Sequence, residues 1–226
     1  MHWNFSDASS AFGFASRTEN DSTYNDSTWN VVYVDSHDYG PNSMCRYSGG
    51  TSAWAENMSL MWTFRGIPCL FYGDEIEFKK GVKVDRGDLP ADQLENTGRA
   101  YYGAHLEGSV TATDFGSYTG ATGAIKTTLE YPLAKHLMRL NKIRRAVPAL
   151  QKGQYSTEGV TGNIAFKRRY TNKEKGIDSF AIVTISGDAK FTGIPNGKYT
   201  DVVTGDVKTV YPFFFICISS FKCYIS

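Results

Sequence analysis

The amino-acid sequence predicts an α/β region followed by an all-β region. Residues 31–148 alternate short apolar runs with amphipathic stretches, which is the strand and helix order of a parallel α/β sheet. Beyond them the chain changes to short β-type runs separated by turn residues such as "NKEKG" and "PNG", which is typical of an antiparallel sheet. We therefore predict three regions, 1–150, 151–210 and an atypical apolar tail at 211–226.

The α/β region begins with the run "VVYV" at residues 31–34, after a loop rich in Asn, Asp, Ser and Thr. The run is apolar throughout and rich in β-branched residues, as expected for a strand covered on both faces. A helix is predicted next over residues 53–65, ending near Gly66. Its large apolar residues recur at helical spacing, namely Trp54, Met58, Met61 and Trp62.

The strand and helix pattern then repeats. A second buried strand is predicted from Pro68 to Tyr72. The last helix is predicted from Pro132 until the chain reaches Pro148, because Pro is favoured in a first helical turn and stops a helix elsewhere. One face of this helix is apolar, with Leu133, Leu137, Leu140, Ile143 and Val147.

Ionisable side chains follow both predicted strands. Asp35, His37 and Asp38 come after the first strand, and Asp74 and Glu75 after the second. Parallel α/β folds carry their chemistry at the carboxyl ends of strands, so we expect these side chains to lie at one end of the sheet. The alternatives are a hydrogen-bonded pair in a strand-end turn for His37 and Asp38, and a helix-capping loop for Asp74 and Glu75.

Composition excludes some partners. There are 24 Lys and Arg against 23 Asp and Glu, so the net charge of +1 gives no electrostatic reason to expect nucleic acid or an anionic membrane. The four cysteines form no CxxC pair, and no His stands at zinc-like spacing. Aromatic residues make up 14% of the chain, which suits either sugar-stacking surfaces or an aromatic core.

The two ends are unusual. "MHWNFSDASSAFG" lacks the basic flank and apolar run of a secretory signal, so localisation stays open. The tail is too short and too interrupted to cross a bilayer, and it reads as a truncated or out-of-frame end in preference to a membrane anchor.

Two motifs together resemble the α-amylase family of glycoside hydrolases. "VYVDSHD" is similar to the family's F-V-D-N-H-D region at the end of the seventh strand of a (β/α)8 TIM barrel, and "RGIPCLFYGDEIEF" is similar to its eighth-strand segment. The segment "LAKHLMRLNKIRRAVPAL" looks like the last barrel helix, which a β-sandwich follows. The resemblance implies the last βα units of a TIM barrel plus a partial antiparallel β-sandwich.

The resemblance also implies site residues. Asp38 matches the family's transition-state-stabilising Asp, and His37 matches a His that hydrogen-bonds the sugar in the cleavage subsite. Asp88 and Arg99 are candidates for outer sugar subsites. Ser36 departs from the commoner Asn. His105 and His136 are not expected to take part.

Retaining cleavage of a glucosidic bond needs a nucleophilic carboxylate and an acid/base carboxylate about 5 Å apart. In the family both precede the seventh strand, and residues 1–30 carry neither motif. We therefore expect a fragment without a complete site, with no cofactor in this chain and calcium held elsewhere in the complete enzyme.

Three hypotheses follow. The chain is part of an α-amylase-type hydrolase or transglycosylase acting on α-1,4-glucans, or it is a non-catalytic remnant, or its β region is an independent carbohydrate-binding or interaction module. The third is disfavoured, because it leaves most of residues 31–148 without a purpose. Under the first hypothesis, the expected partner is an α-glucan.

Overall fold

The computed structural model describes residues 8, 12–13, 27–37, 44–84, 87–114, 117–211, 216–218 and 222–226. The chain divides into two compact units. The first contains residues 1–61 and 66–142, and the second contains residues 62–65 and 143–226. The second unit thus begins earlier than the predicted boundary at residue 150, and it includes a short segment from the α/β region.

The predicted helices and strands occur in the predicted order, together with further elements. The helices are α1 Thr51–Thr63, α2 Gly123–Glu130, α3 Pro132–Ala146 and α4 Pro148–Lys152. The strands of the first unit are β1 Val31–Val32, β2 Ile67–Pro68, β3 Thr111–Asp114 and β4 Ser117–Thr119. Those of the second are β5 Gln154–Ser156, β6 Val160–Asn172, β7 Ile177–Phe191, β8 Gly197–Asp201, β9 Val207–Val210, β10 Ile216–Ile218 and β11 Lys222–Ile225. Within the described ranges, no helix is both long enough and apolar enough to span a bilayer.

The first unit contains the predicted parallel pair. β1 and β2 lie side by side and parallel, with Val31 opposite Ile67 and Val32 opposite Pro68. α1 joins them, and its predicted apolar residues are buried. This confirms the parallel arrangement, although both strands are shorter than predicted. The turn into β2 needs a glycine at residue 66, where φ is +102° and a Cβ would lie 2.7 Å from the Asn30 carbonyl oxygen.

The rest of the first unit includes an antiparallel hairpin of β3 and β4 and a short helix, α2, neither of which was predicted. α3 begins at Pro132 as expected and ends one residue before Val147. Leu133 and Leu140 on its apolar face are buried, which confirms the amphipathic prediction.

The second unit is an antiparallel sheet in the order β5-β6-β7-β11-β8-β9, with β10 also paired to β7. Its hydrophobic core includes Phe180, Ile182, Phe191, Tyr199 and Tyr224. This confirms the predicted antiparallel β region.

Residues 62–65 are a structural part of the second unit. The Phe64 ring packs edge-on against Tyr155 and Phe166, with centroid distances of 4.8 and 5.6 Å. Arg144 Nη1 donates to the carbonyl oxygen of Trp62 over 2.7 Å. These contacts explain why the unit begins at residue 143 and includes a segment far away in sequence.

The tail differs from its prediction. Its segments 216–218 and 222–225 are β10 and β11, and β11 lies between β7 and β8 with Cys223 and Tyr224 buried. The expectation that the sheet ends near Val210 and leaves an atypical tail is therefore wrong for these segments. Ile216, Ile218 and Tyr224 lie in the hydrophobic core of the second unit, and the backbone of the two segments pairs with β7 and β8.

Candidate functional site

Two carboxylates follow the paired strands and are buried. Asp35 comes three residues after β1, and Asp74 begins the single 3₁₀ turn Asp74–Ile76 that follows β2. Each residue is 3% exposed. Asp35 Oδ2 accepts a hydrogen bond from the backbone N–H of Tyr47 over 2.8 Å. Neither carboxylate can contact a substrate directly at this exposure.

Arg46 joins the strand-end carboxylates to the neighbouring loops. It is 1% exposed, and its Nη1 donates to Asp74 Oδ1 over 3.1 Å. Its Nε donates to the Gly98 carbonyl oxygen over 2.9 Å, and its Nη2 to the Tyr72 carbonyl oxygen over 2.5 Å. The guanidinium also lies over the Phe71 ring, 4.2 Å from the centroid. One arginine thus fixes three segments of the first unit.

Burial changes the titration of the two carboxyl groups. Desolvation raises the pKa of Asp35 to about 6, although the Tyr47 N–H and Arg46 act in the opposite direction. Desolvation also raises the pKa of Asp74 well above its usual value, and the negative charge of Asp35 adds to this more than Arg46 offsets. The carboxyl groups of Asp35 and Asp74 are close enough to interact with each other.

Two more carboxylates, those of Glu75 and Glu77, accept hydrogen bonds on the segment after β2. The Tyr102 hydroxyl donates to Glu75 Oε1, and the Tyr131 hydroxyl donates to Glu77 Oε2 over 2.6 Å. Lys80 Nζ donates to Glu77 Oε1 over 2.9 Å. These contacts fix the backbone that follows the 3₁₀ turn.

The structure brings together two of the four predicted site residues. His37 is exposed, and its carbonyl oxygen accepts a hydrogen bond from Arg99 Nε over 2.7 Å. Asp88 is exposed on the loop that precedes Arg99. Asp38 lies outside the described residues.

Other sequence interpretations are changed by the structure. Asp74 does not cap a helix, because its side chain pairs with Arg46 and the 3₁₀ turn begins after Gly73 without a side-chain cap. His136 is half-buried, and its Nε2 lies 2.9 Å from Ser59 Oγ. Arg46 was not predicted as a site residue from the sequence, because an arginine in a polar loop gives no periodic signal.

Within the described segments, no group of three His, Cys, Asp or Glu side chains is arranged to hold a metal ion. A groove of about 480 Å³ lies elsewhere in the first unit. It is lined by Ser117, Tyr118, Lys135, Met138, Arg139 and Lys142, and includes none of the predicted site residues.

The α/β region and the antiparallel sheet are similar in fold to parts of solved α-amylase structures. An Anoxybacillus α-amylase matches 96% of this chain and 44% of its own chain, with a TM-score of 0.60 and 16% identity. An α-amylase from Geobacillus thermoleovorans, solved with acarbose, matches 96% of this chain and 42% of its own, with a TM-score of 0.58 and 15% identity. A Gamma-CGTase from alkalophilic Bacillus clarkii matches 94% of this chain and 28% of its own chain, with a TM-score of 0.56 and 13% identity.

The chain therefore spans less than half of the length of the solved structures that it resembles. At these identities the likeness shows the fold. No model of a known protein family matches the sequence, and no curated protein matches it.

Proposed function

We propose that the chain is part of an α-amylase-type glycoside hydrolase that acts on α-1,4-glucans with retention. The observation that carries the proposal is the parallel pair of β1 and β2, joined by α1, with the motif residues Asp35 and His37 following β1. The likeness to two α-amylase structures over 96% of the chain supports it.

In this proposal Asp38 and His37 bind the sugar ring whose bond is cleaved. A carboxylate at this position favours the positive charge that develops on the sugar in the transition state. The imidazole of His37 orients the ring by hydrogen bonding to its hydroxyl groups. Arg99 holds the His37 backbone through the carbonyl oxygen, which limits the movement of the imidazole.

The second candidate function is sugar binding without turnover. It is favoured because this sequence carries no motif for the nucleophile or the acid/base of retaining cleavage. The complete reaction, hydrolysis or transfer, then belongs to a longer protein that supplies both.

Binding and cleavage distinguish these candidates. We expect the 226-residue chain to bind maltoheptaose weakly, as measured by NMR titration, and to release no reducing sugar from starch. His37→Ala and Asp38→Asn should each weaken binding by about tenfold, which is the loss of one good hydrogen bond to a ligand. The control is Glu174→Gln, because Glu174 is an exposed carboxylate in the turn between β6 and β7.

Equal binding by all four proteins would contradict a sugar site at the end of β1. Release of reducing sugar that Asp38→Asn abolishes would show instead that this chain holds a complete catalytic site.

A further inference from the structure

The buried groups around Arg46 do not balance in charge if every one is ionised. Asp35 and Asp74 would carry two negative charges, and Arg46 one positive charge, at sites that are at most 3% exposed. An uncompensated buried charge is costly, because the protein interior solvates it poorly. The guanidinium reaches only Asp74 directly, since its other described hydrogen bonds go to the carbonyl oxygens of Gly98 and Tyr72.

Asp35 lacks a donor on one of its oxygens. Oδ2 accepts from the Tyr47 N–H, whereas Oδ1 is buried without a hydrogen-bond partner in the described part of the chain. A buried acceptor that stays unpaired loses the hydrogen bonds that water would give it. A proton on Asp74 would supply the missing donor and remove the excess negative charge in one step.

Among the residues that the structure describes, the other ionisable groups that act on the cluster do not provide this balance. On the 3₁₀ turn, Glu75 adds negative charge next to Asp74. On the loop that follows Gly98, the hydroxyl group of Tyr102 donates a hydrogen bond to Glu75 Oε1, and its raised pKa keeps it neutral. Arg46 is the cation that acts on both Asp35 and Asp74.

We propose that Asp35 and Asp74 share a single proton at neutral pH, so that Asp35, Arg46 and Asp74 form an electrically neutral cluster that positions the strand end bearing His37. Asp74 carries the proton and donates it towards Asp35, which stays ionised. Burial and the negative charge of Asp35 both raise the pKa of Asp74, whereas the hydrogen bond with Asp74 acts to lower the pKa of Asp35, and this supports the assignment of the proton to Asp74.

The cluster acts on His37 along two routes. Asp35 is two residues before His37 in the chain, and its Oδ2 binds the Tyr47 N–H. Arg46 binds the carbonyl oxygen of Gly98, next to Arg99, whose Nε holds the carbonyl oxygen of His37. This positioning role rests on the proposed function, whereas the shared proton does not.

Infrared spectroscopy of the full 226-residue chain with isotope-labelled aspartate tests the shared proton. At pH 7.5 we expect one band from a protonated Asp carboxyl group. Asp74→Asn and Asp35→Asn should each abolish the band, because a single carboxylate beside Arg46 ionises. The control, Asp178→Asn, removes an exposed carboxylate and should leave the band unchanged. Absence of the band from the unaltered chain at this pH would overturn the proposal.

The positioning role is tested by the NMR signals of the His37 ring and by the affinity for maltoheptaose. Asp74→Asn keeps a neutral hydrogen-bonding group and should preserve both, whereas Asp74→Leu should shift the His37 signals and weaken binding about tenfold. If the two variants behave alike, Asp74 does not position His37. If the protonated band is present but no variant or parent binds sugar, the shared proton stands and the proposed function fails.

Discussion

Arg168 donates from Nη1 to the carbonyl oxygen of Thr63 over 2.8 Å and thereby joins β6 to the last residue of α1. Its Nε and Nη2 donate to the carbonyl oxygen of Gly153 over 3.1 and 2.9 Å. The side chain is 1% exposed, and its described partners are backbone carbonyls, including that of the helix end.

Replacing Arg168 with Met should therefore destabilise the chain by about 2–4 kcal/mol, because two buried carbonyl oxygens lose their donors. Urea unfolding measures this. Arg169→Met is the matched control, since Arg169 is the next residue on β6, is exposed and pairs with exposed Asp178, and should have little effect. Equal losses in both variants would mean that the Thr63 and Gly153 contacts contribute nothing specific.

The Asp74 carboxyl group predicts a pH dependence of stability. Its pKa in the folded chain is raised above the ordinary 3.8, so the folded state holds the proton more tightly than the unfolded state. Its contribution to stability is therefore complete below about pH 4 and declines as the pH rises through the folded pKa. Asp74→Asn removes this decline, so the variant should gain stability relative to the parent between pH 4 and 8 in urea titrations. A constant difference over that range would show that Asp74 titrates normally.

His136 predicts the opposite dependence. Desolvation by burial lowers its pKa below the ordinary 6.5, because the imidazole is packed with Ser59 and Ala55 on α1. The unfolded state then binds the proton more tightly, and stability is lost as the pH falls below 6.5 through the folded pKa. In His136→Gln this acid-side loss should be smaller, as thermal unfolding at pH 5 and pH 7.5 would reveal. A variant with the same loss as the parent would exclude His136 as its source.

Two cysteines report on the placement of β11. Cys69 is exposed, whereas Cys223 is fully buried in β11, and burial together with the charge of Asp201 raises the pKa of its thiol to about 12. Since the thiolate is the reactive form, a thiol reagent should modify Cys69 rapidly and Cys223 only after unfolding. Peptide mass spectrometry identifies the modified sites, and the chain in urea is the control. Similar rates under native conditions would show that β11 is not held inside the sheet.

The catalytic role of Asp38 can be tested only where the reaction is complete. In a longer chain that supplies a nucleophile and an acid/base residue, Asp38→Asn should reduce kcat by orders of magnitude with little change in Tm, because it removes a transition-state contact and no packing. Steady-state kinetics and thermal unfolding measure the two effects. Parallel losses of activity and Tm would make Asp38 a structural residue.

Local patterns account for much of the fold. The apolar run at β1 and the helical spacing of Trp54, Met58 and Met61 predicted a strand and a helix, because burial imposes those periods directly on the sequence. The parallel pairing of β1 with β2 followed from a connection that contains a helix.

Long-range contacts account for what was missed. Arg46 looks like a solvated loop residue in the sequence, and its burial depends on Asp74 and Gly98, which are 28 and 52 residues further along the chain. The place of β11 depends on a pairing of Lys222 with Thr184 that no local pattern indicates. Predicting the proposed neutral cluster would have required knowing the contacts of Arg46 with Asp74 and Gly98.

The position of β11 also determines when the second unit can assemble during synthesis. In the described sheet, β8 and β9 form a hairpin that reaches β7 through β11. A two-stranded ribbon is marginally stable in water by itself, so the hairpin remains an exposed ribbon while residues 222–225 are still being translated. The sheet is therefore completed only after these residues emerge from the ribosome, and until then the unpaired edge of β7 is open to other chains.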